Sequence, residues 1–335
     1  MKIRFFNPAL DYLAYKDEYD EAWHRVNERG DLILREDVEK FEENLAKFTG
    51  KKYAVSLNSG TDALYLSLWA LGIGKGDEVI VPSHTFVATA QVVQQLGATP
   101  ILVDVHYNFL VGLVDDYITE NTKAIIPVHL TGSVVNHLLL PSGISIVEDA
   151  AQALGAKGVG YGITQCYSFY PAKILGAKGD AGAITTDDLR IANEIKELRN
   201  HYKKDYSEWG INSRMDNLQA ALLNVKFKYI DDILRRRQDI AEMYRALHGE
   251  VIILPEYSEG RVWQDYVIRT NKRDELYKYL KEQSIETMKN DYPFPIPKLP
   301  NSIRIESETL RIPCNEHLTD EEVGYVIEKI NEFFR

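Results

Sequence analysis

Between Tyr53 and Thr186, short apolar, β-branched runs recur and are separated by stretches with helical periodicity. This alternation narrows the possible folds more than any other feature. The runs are Tyr53–Leu57, Glu78–Val81, Pro100–Val105, Ala124–Val128, Ile144–Val147, Cys166–Phe169 and Ala181–Thr185. They fit strands buried between helices in a mostly parallel sheet. Asp62–Leu71 and Thr85–Leu96 have the length of crossover helices, and Gly72 and Gly97 follow them where a left-handed cap suits glycine. The expected fold class is α/β.

After Asn212 a charged helical pattern runs roughly from Met215 to Leu247 and ends before Gly249, which predicts one long bridging helix. Beyond it, Asp265–Arg269 reads as a strand and Arg273–Gln283 as a helix, and Thr319–Phe334 reads as a terminal helix opened by a capping box of Thr319 with Glu322. The Pro-rich run Pro293–Pro300 reads as a loop. With 335 residues, 45% of them hydrophobic, the chain can bury a large core and a smaller one. The division expected is a large lobe over residues 1–224 and a bridging helix with a small α/β lobe over 225–335.

The formal net charge of −11 argues against a nucleic-acid or anionic-membrane partner, so an anionic ligand needs a local positive site. Only Cys166 and Cys314 are present, and no stretch is an eighteen-residue apolar span, so no disulfide framework or membrane helix is expected. Asp11, Asp17 and Glu18 come too early for a signal peptide, and a soluble cytoplasmic protein is the expectation.

Four segments could carry chemistry. Ser59-Gly60-Thr61-Asp62-Ala63-Leu64 follows the first strand and opens a helix, so Gly60 can bring N–H groups against a phosphate at the positive helix terminus; a plain capped βα joint has the same signature. Glu148-Asp149-Ala150-Ala151-Gln152 puts a carboxylate at the C-terminal edge of the sheet, where it could hold a protonated pyridine nitrogen or simply cap the next helix. Ser168-Phe169-Tyr170-Pro171-Ala172-Lys173-Ile174-Leu175-Gly176 runs from strand to Pro turn to lysine, and glycines follow. A lysine on such a turn can act as nucleophile and proton carrier, although loop lysines are mostly solvated and Lys178 competes for the role. Asn212-Ser213-Arg214 gathers phosphate-binding donors in one turn, and equally suits an ordinary polar helix start.

Taken in order, these segments resemble the DegT family of sugar aminotransferases, which share the fold-type I, aspartate aminotransferase-like architecture and use pyridoxal 5′-phosphate. The resemblance begins near Ile33 and also runs through Gly72–Pro82, His84–Thr89, Ile126–Leu130 and Leu218–Ala221. It implies that Lys173 is the Schiff-base lysine, that Asp149 holds the pyridine nitrogen and Gln152 the ring hydroxyl, and that Phe86 stacks on the ring. Gly60 and Thr61, with the Ser168 hydroxyl, would take the phosphate. Asn212 would reach the neighbouring subunit's cofactor phosphate, which makes the site shared across a homodimer. The implied reaction takes an amino group from L-glutamate, leaving 2-oxoglutarate, and places it on a nucleotide-linked keto-sugar for deoxyaminosugar and polysaccharide biosynthesis. Residues near His84 resemble members that aminate at C3. No metal is implied.

The chain also departs from the family. Gly132–Val147 and Ala156–Gln165 are shortened, losses that the sheet could survive. Trp263-Gln264-Asp265-Tyr266 stands where many relatives have an aromatic followed by His, Asp291-Tyr292-Pro293 stands where many have His-Tyr-Pro, and Lys178 stands where an aromatic is common. Two alternatives are a dehydratase-like pyridoxal chemistry, which the lysine at 173 counts against, and a regulatory protein that keeps the fold without turnover. A dinucleotide-binding oxidoreductase fails because no Gly-x-Gly-x-x-Gly follows the first strand.

Overall fold

The apolar runs form a seven-stranded sheet in the computed structural model, which describes residues 1–106, 114–248, 260–289, 292 and 299–335. Its strands are β1 (Tyr53–Leu57), β2 (Glu78–Pro82), β3 (Thr99–Val103), β4 (Thr122–Ile125), β5 (Ser145–Asp149), β6 (Thr164–Ser168) and β7 (Gly182–Thr186), in the order β1-β7-β6-β5-β4-β2-β3. The pairs β2 with β3, β2 with β4, β4 with β5 and β5 with β6 are parallel, whereas β7 runs antiparallel to both β1 and β6. The expected mostly parallel sheet is therefore present.

Helices cover both faces, because strands apolar on two sides need two apolar covers. On one side Phe41 and Leu45 of α3 (Glu36–Thr49) meet Phe169, Leu223 and Phe227. On the other, α4 (Gly60–Ala70) lays Leu64 and Leu68 on Val55, Val79 and Val147, and α5 (Ala88–Gln95) adds Val92 and Val93. Gly72 (φ 76°) and Gly97 (φ 80°) take the left-handed conformation after these helices, as their positions predicted.

The expected bridging helix is two helices, α7 (Asn217–Phe227) and α8 (Ile230–Met243), broken at Lys228-Tyr229. Neither Gly nor Pro marks the break in the sequence. The corner is held from outside: Glu18 of α2 (Lys16–Arg29) accepts from Lys228 Nζ at 2.5 Å and from the Tyr229 hydroxyl. Between β4 and β5, two short 3-10 turns, Leu130–Gly132 and His137–Leu139, replace a crossover helix, and Ala124 still pairs with Ser145. The shortened connection leaves the sheet whole.

The second core gathers around a three-stranded sheet in the order β8-β10-β9, with β8 at Tyr266–Arg269, β9 at Met288–Lys289 and β10 at Thr309–Ile312. Against it pack α9 (Arg273–Glu282), with Leu276 and Leu280, and α11 (Asp320–Phe333), with Val326 and Ile330. The Thr319–Glu322 capping box is present. Residues 293–298 of the Pro-rich run lie outside the described residues, but its last member, Pro300, opens α10 (Pro300–Glu308) at the first helical turn, where its missing N–H is harmless. The N-terminal Ile3 bridges to Ile285 and is fully buried in this second core. Among the described residues no helix is long and apolar enough to cross a membrane.

Candidate active site

The C-terminal ends of β1, β5 and β6 lie along one edge of the sheet, and the segments singled out from the sequence converge there. Leu57 and Ser168 both pair with Gly182, so the α4 turn, the end of β6 and the start of β7 occupy the same few ångströms. Two glycines make that possible. A Cβ on Gly60 would lie 2.7 Å from the Ser168 Cβ, and one on Gly182 would overlap the Ser59 main chain. Ser59 caps α4 by accepting from the Asp62 N–H at 3.1 Å, which leaves Gly60 and Thr61 as its first N–H groups, next to the Ser168 hydroxyl. Helix terminus, close backbone and hydroxyl together make a cradle that fits a phosphate.

The Asn212 turn is fastened to the same place. Ser213, fully buried, donates from Oγ to Asp62 Oδ2 at 2.6 Å and accepts from the Asn58 N–H at 3.3 Å. Asn212 itself is exposed, and Arg214 turns away to donate to Asn200 Oδ1 at 3.0 Å. Within one chain the structure brings Ser213 to the cradle, and not Asn212.

Asp149 ends β5 buried. Its Oδ1 accepts from the Ala151 N–H at 3.2 Å and its Oδ2 from the Thr89 hydroxyl at 3.0 Å. Among the described residues no Lys, Arg or His lies within ion-pairing distance of it, although it feels the charge of Lys173. Burial pushes its carboxyl above the ordinary range, only partly offset by the Ala151 and Thr89 hydrogen bonds. A buried carboxylate without a cation suits a protonated ring nitrogen. Thr89 lies on α5 one turn after Phe86, and Phe86 is 58% exposed, so its ring is available to a ligand.

Gln152 Oε1 accepts from the Thr131 N–H at 2.7 Å, which leaves its NH₂ to donate elsewhere. Thr131 is held at φ 59°, an uncommon conformation for a β-branched residue. Arg261 donates to its hydroxyl at 3.0 Å, and Gly132 presses so close to Val262 that a Cβ would overlap the Val262 carbonyl.

Lys173 closes a tight turn. Its N–H donates to the Tyr170 carbonyl at 2.8 Å, with Pro171 at the second position, where a fixed φ suits the turn. Burial lowers its ammonium below the usual lysine value, while the charges of Asp265 and Asp149 work the other way and Arg311 adds to the lowering. More of the amine is thereby the free base near neutrality. Lys178, the sequence competitor, is engaged elsewhere, paired with Asp11 and placed over the Tyr19 ring at 4.4 Å.

Several contributors escaped the sequence reading. Thr89 was part of a motif but had no assigned role. Gln264 bonds the main chain on both sides of Lys173, and Asp265 pairs with Arg311 at 3.1 Å. Their only sequence signal was that residues 263–266 depart from the family pattern. Behind Asp149, fully buried Glu148 accepts from the Gly160 and Gly162 N–H groups and from Gln165 Nε2, and sits 3.0 Å from His129 Nε2. Because His129 Nδ1 accepts the Val135 N–H, its proton is on Nε2 and points at Glu148. Burial alone would raise the Glu148 carboxyl; His129 and the two glycine N–H groups hold it below the ordinary range.

The sequence pattern of the DegT/DnrJ/EryC1/StrS aminotransferase family matches residues 14–331. The chain belongs to this family. A family member from Aneurinibacillus thermoaerophilus, dTDP-3-amino-3,6-dideoxy-α-D-galactopyranose transaminase, is 39% identical over 97% of this chain and 99% of its own. The solved structure of S. venezuelae DesV in complex with a ketimine intermediate superposes with a TM-score of 0.95 at 35% identity, covering 100% of this chain and 99% of that one. NtdA from Bacillus subtilis, solved with bound cofactor PMP, gives a TM-score of 0.92 at 29% identity over 99% and 85% of the two chains. This family member thus has the fold-type I architecture expected from its sequence, and it is a pyridoxal-phosphate-dependent transaminase.

Proposed function

We propose that this aminotransferase moves an amino group from L-glutamate to a keto-deoxyhexose carried on a nucleotide, with Lys173 as the residue that holds the cofactor aldehyde and carries the proton. The observation that supports this best is the joint placement of a desolvated lysine, a buried carboxylate without a cation and a glycine-lined helix terminus on one sheet edge. Pyridoxal phosphate, when bound, would draw electrons from the carbon bearing the amino group. The chain's own residues do the rest. Gly60 and Thr61 N–H groups and the Ser168 hydroxyl would anchor the phosphate, Asp149 would keep the ring nitrogen protonated, Gln152 would donate to the ring hydroxyl and Phe86 would cover the ring. The Lys173 amine would take the proton from the amino-bearing carbon of the donor and return it two atoms away, across the amino nitrogen, after which water would release 2-oxoglutarate. In the second half it would move the proton in reverse, onto the former carbonyl carbon of the sugar, and the amino sugar would leave on its nucleotide.

The same reading makes the protein a cytoplasmic homodimer in which exposed Asn212 completes the partner's phosphate site. It also assigns residues 1–224 to the cofactor-binding lobe and 225–335 to the bridge and second lobe. The resemblance of residues near His84 to relatives that aminate at C3 favours that carbon over C4; His84 itself is buried, with its ring edge-on to Tyr292 at 5.2 Å. The test is incubation of the pyridoxal-phosphate-loaded protein with L-glutamate and 3-keto or 4-keto sugars on dTDP, UDP or GDP, with products read by mass spectrometry. An amino-sugar nucleotide with equimolar 2-oxoglutarate is expected. Loss of water from the sugar without nitrogen gain would instead select the dehydratase alternative, and no product from any pairing would reject sugar amination.

A further inference from the structure

The loop that carries Lys173 is held at its lysine by very little of its own main chain. The Lys173 N–H reaches Tyr170 O at 2.8 Å, and the next main-chain anchor is Ala177 N–H to Phe169 O at 2.8 Å. Between them, the Ala172 carbonyl and the Ile174 N–H flank the lysine, and both are taken by one side chain. Gln264 donates from Nε2 to Ala172 O at 2.9 Å and accepts the Ile174 N–H on Oε1 at 3.1 Å. The two partners fix which end of the amide is which, since only an oxygen can accept and only the NH₂ can donate. Gln264 is buried, and it is anchored in turn: Arg237 donates to the carbonyls of Trp263 at 3.2 Å and Gln264 at 3.0 Å, while Nε and Nη2 of the same guanidinium hold Glu316 at 2.9 and 2.7 Å. Trp263 Nε1 adds a bond to Gln238 at 2.8 Å. The next residue, Asp265, points its carboxylate at Arg311, and both charges act on Lys173.

We propose that Gln264 is a positioning residue for Lys173: it locks the peptide units on either side of the lysine, so that the second lobe, through α8, sets where the amine stands. The proposal rests on the reading of Lys173 as the reacting lysine. As the reacting lysine, Lys173 would move its side chain during each half-reaction, and a loop with one main-chain bond at that residue would move with it. Holding both flanking peptides confines the motion to the side chain, which keeps the amine within reach of the two carbons it must serve.

The test uses Gln264→Leu, which keeps much of the volume and removes both bonds, and Gln264→Glu, which keeps the acceptor for Ile174 and loses the donor to Ala172. Hydrogen exchange of the cofactor-free protein is read by mass spectrometry on a peptide covering residues 172–177, with a peptide from β1 as the fold control. Steady-state kinetics of the loaded enzyme with L-glutamate follow. For Gln264→Leu the expectation is exchange at least about tenfold faster in residues 172–177 with β1 unchanged, and kcat down about tenfold or more with KM for L-glutamate within about twofold. Gln264→Glu should fall between this variant and the wild type in both. If the leucine variant fails to fold, as accelerated β1 exchange would report, the glutamate variant alone decides by the same split. Wild-type exchange and kcat in a folded variant would overturn the proposal, as would a loss carried by KM. A wild-type protein with no Lys173-dependent absorption band would overturn the site reading first, and an intact band with unaffected variants would overturn this inference alone.

Discussion

The fold alters the ionisation of both Asp149 and Lys173 where the chemistry is expected. For Asp149 the folded carboxyl titrates above its unfolded value, so the folded state binds more protons than the unfolded one between the two, and stability falls as pH rises through that window. Replacing it by Asn removes that cost. Denaturant unfolding of cofactor-free Asp149→Asn should show a stability advantage over the wild type that grows from about pH 4 upward. The same variant should lose about a hundredfold or more in kcat, since a ring nitrogen without its carboxylate withdraws electrons poorly. A variant with unchanged turnover would remove Asp149 from the mechanism. Glu148, one residue earlier and also buried, faces His129 and accepts from Gln165 and two glycine N–H groups, whereas among the described residues Asp149 accepts only from Ala151 and Thr89, which leaves it the carboxylate with room for a ligand.

At the scale of elements, the site depends on how closely α4, β6 and β7 approach. Gly60→Ala places a methyl 2.7 Å from the Ser168 Cβ, so either the helix start or the strand end must move. A stability loss of about 1–3 kcal/mol is expected, together with weaker pyridoxal phosphate binding by fluorescence titration; unaltered affinity would mean that the cradle does not hold the phosphate. Strand positions were legible because runs such as Tyr53–Leu57 are apolar on both faces, and β1 has those bounds. The break between α7 and α8 was not, because neither Gly nor Pro marks it and the Glu18 contact at the corner comes from some 210 residues away in the chain. Pro300 was misread with the run before it: a proline forbids the middle of a helix and favours its start, and the sequence alone did not tell the two apart. The segments Ser59–Leu64, Glu148–Gln152 and Ser168–Gly176 stood out in the sequence as able to carry chemistry, and the fold brings them to one sheet edge. Gln264 was not, since a glutamine that bonds distant main chain has no local signature.

For the whole molecule, a buried ionic cluster joins the N-terminal segment, α7, α8 and the residues before α11. Lys226 lies 2.7 Å from Asp11 and 3.1 Å from Glu316, and Arg237 lies 2.7 Å from Glu316. Burial alone would raise Glu316; Arg237 and Lys226 bring its carboxyl down to about 2. Its contribution to stability is therefore present above the usual carboxylate range and disappears as pH falls from about 4.5 toward 2. Arg237→Leu would strand that carboxylate and should cost about 3–5 kcal/mol in chemical denaturation; a near-neutral effect would mean that Lys226 alone suffices. The proposed homodimer, in which Asn212 would complete the partner's site, makes a separate prediction. Mixed dimers of Lys173→Ala with Asn212→Ala subunits contain one intact site, so co-refolding two weak variants should return about a quarter of wild-type activity. No recovery would place Asn212 outside the partner's site. Whether Lys173 holds the cofactor is decided by the visible absorption spectrum of the purified protein with pyridoxal phosphate, before and after L-glutamate, beside Lys173→Ala. A band that requires Lys173 and bleaches on addition of L-glutamate is expected. A band that persists in Lys173→Ala, or none in the wild type, would contradict that role.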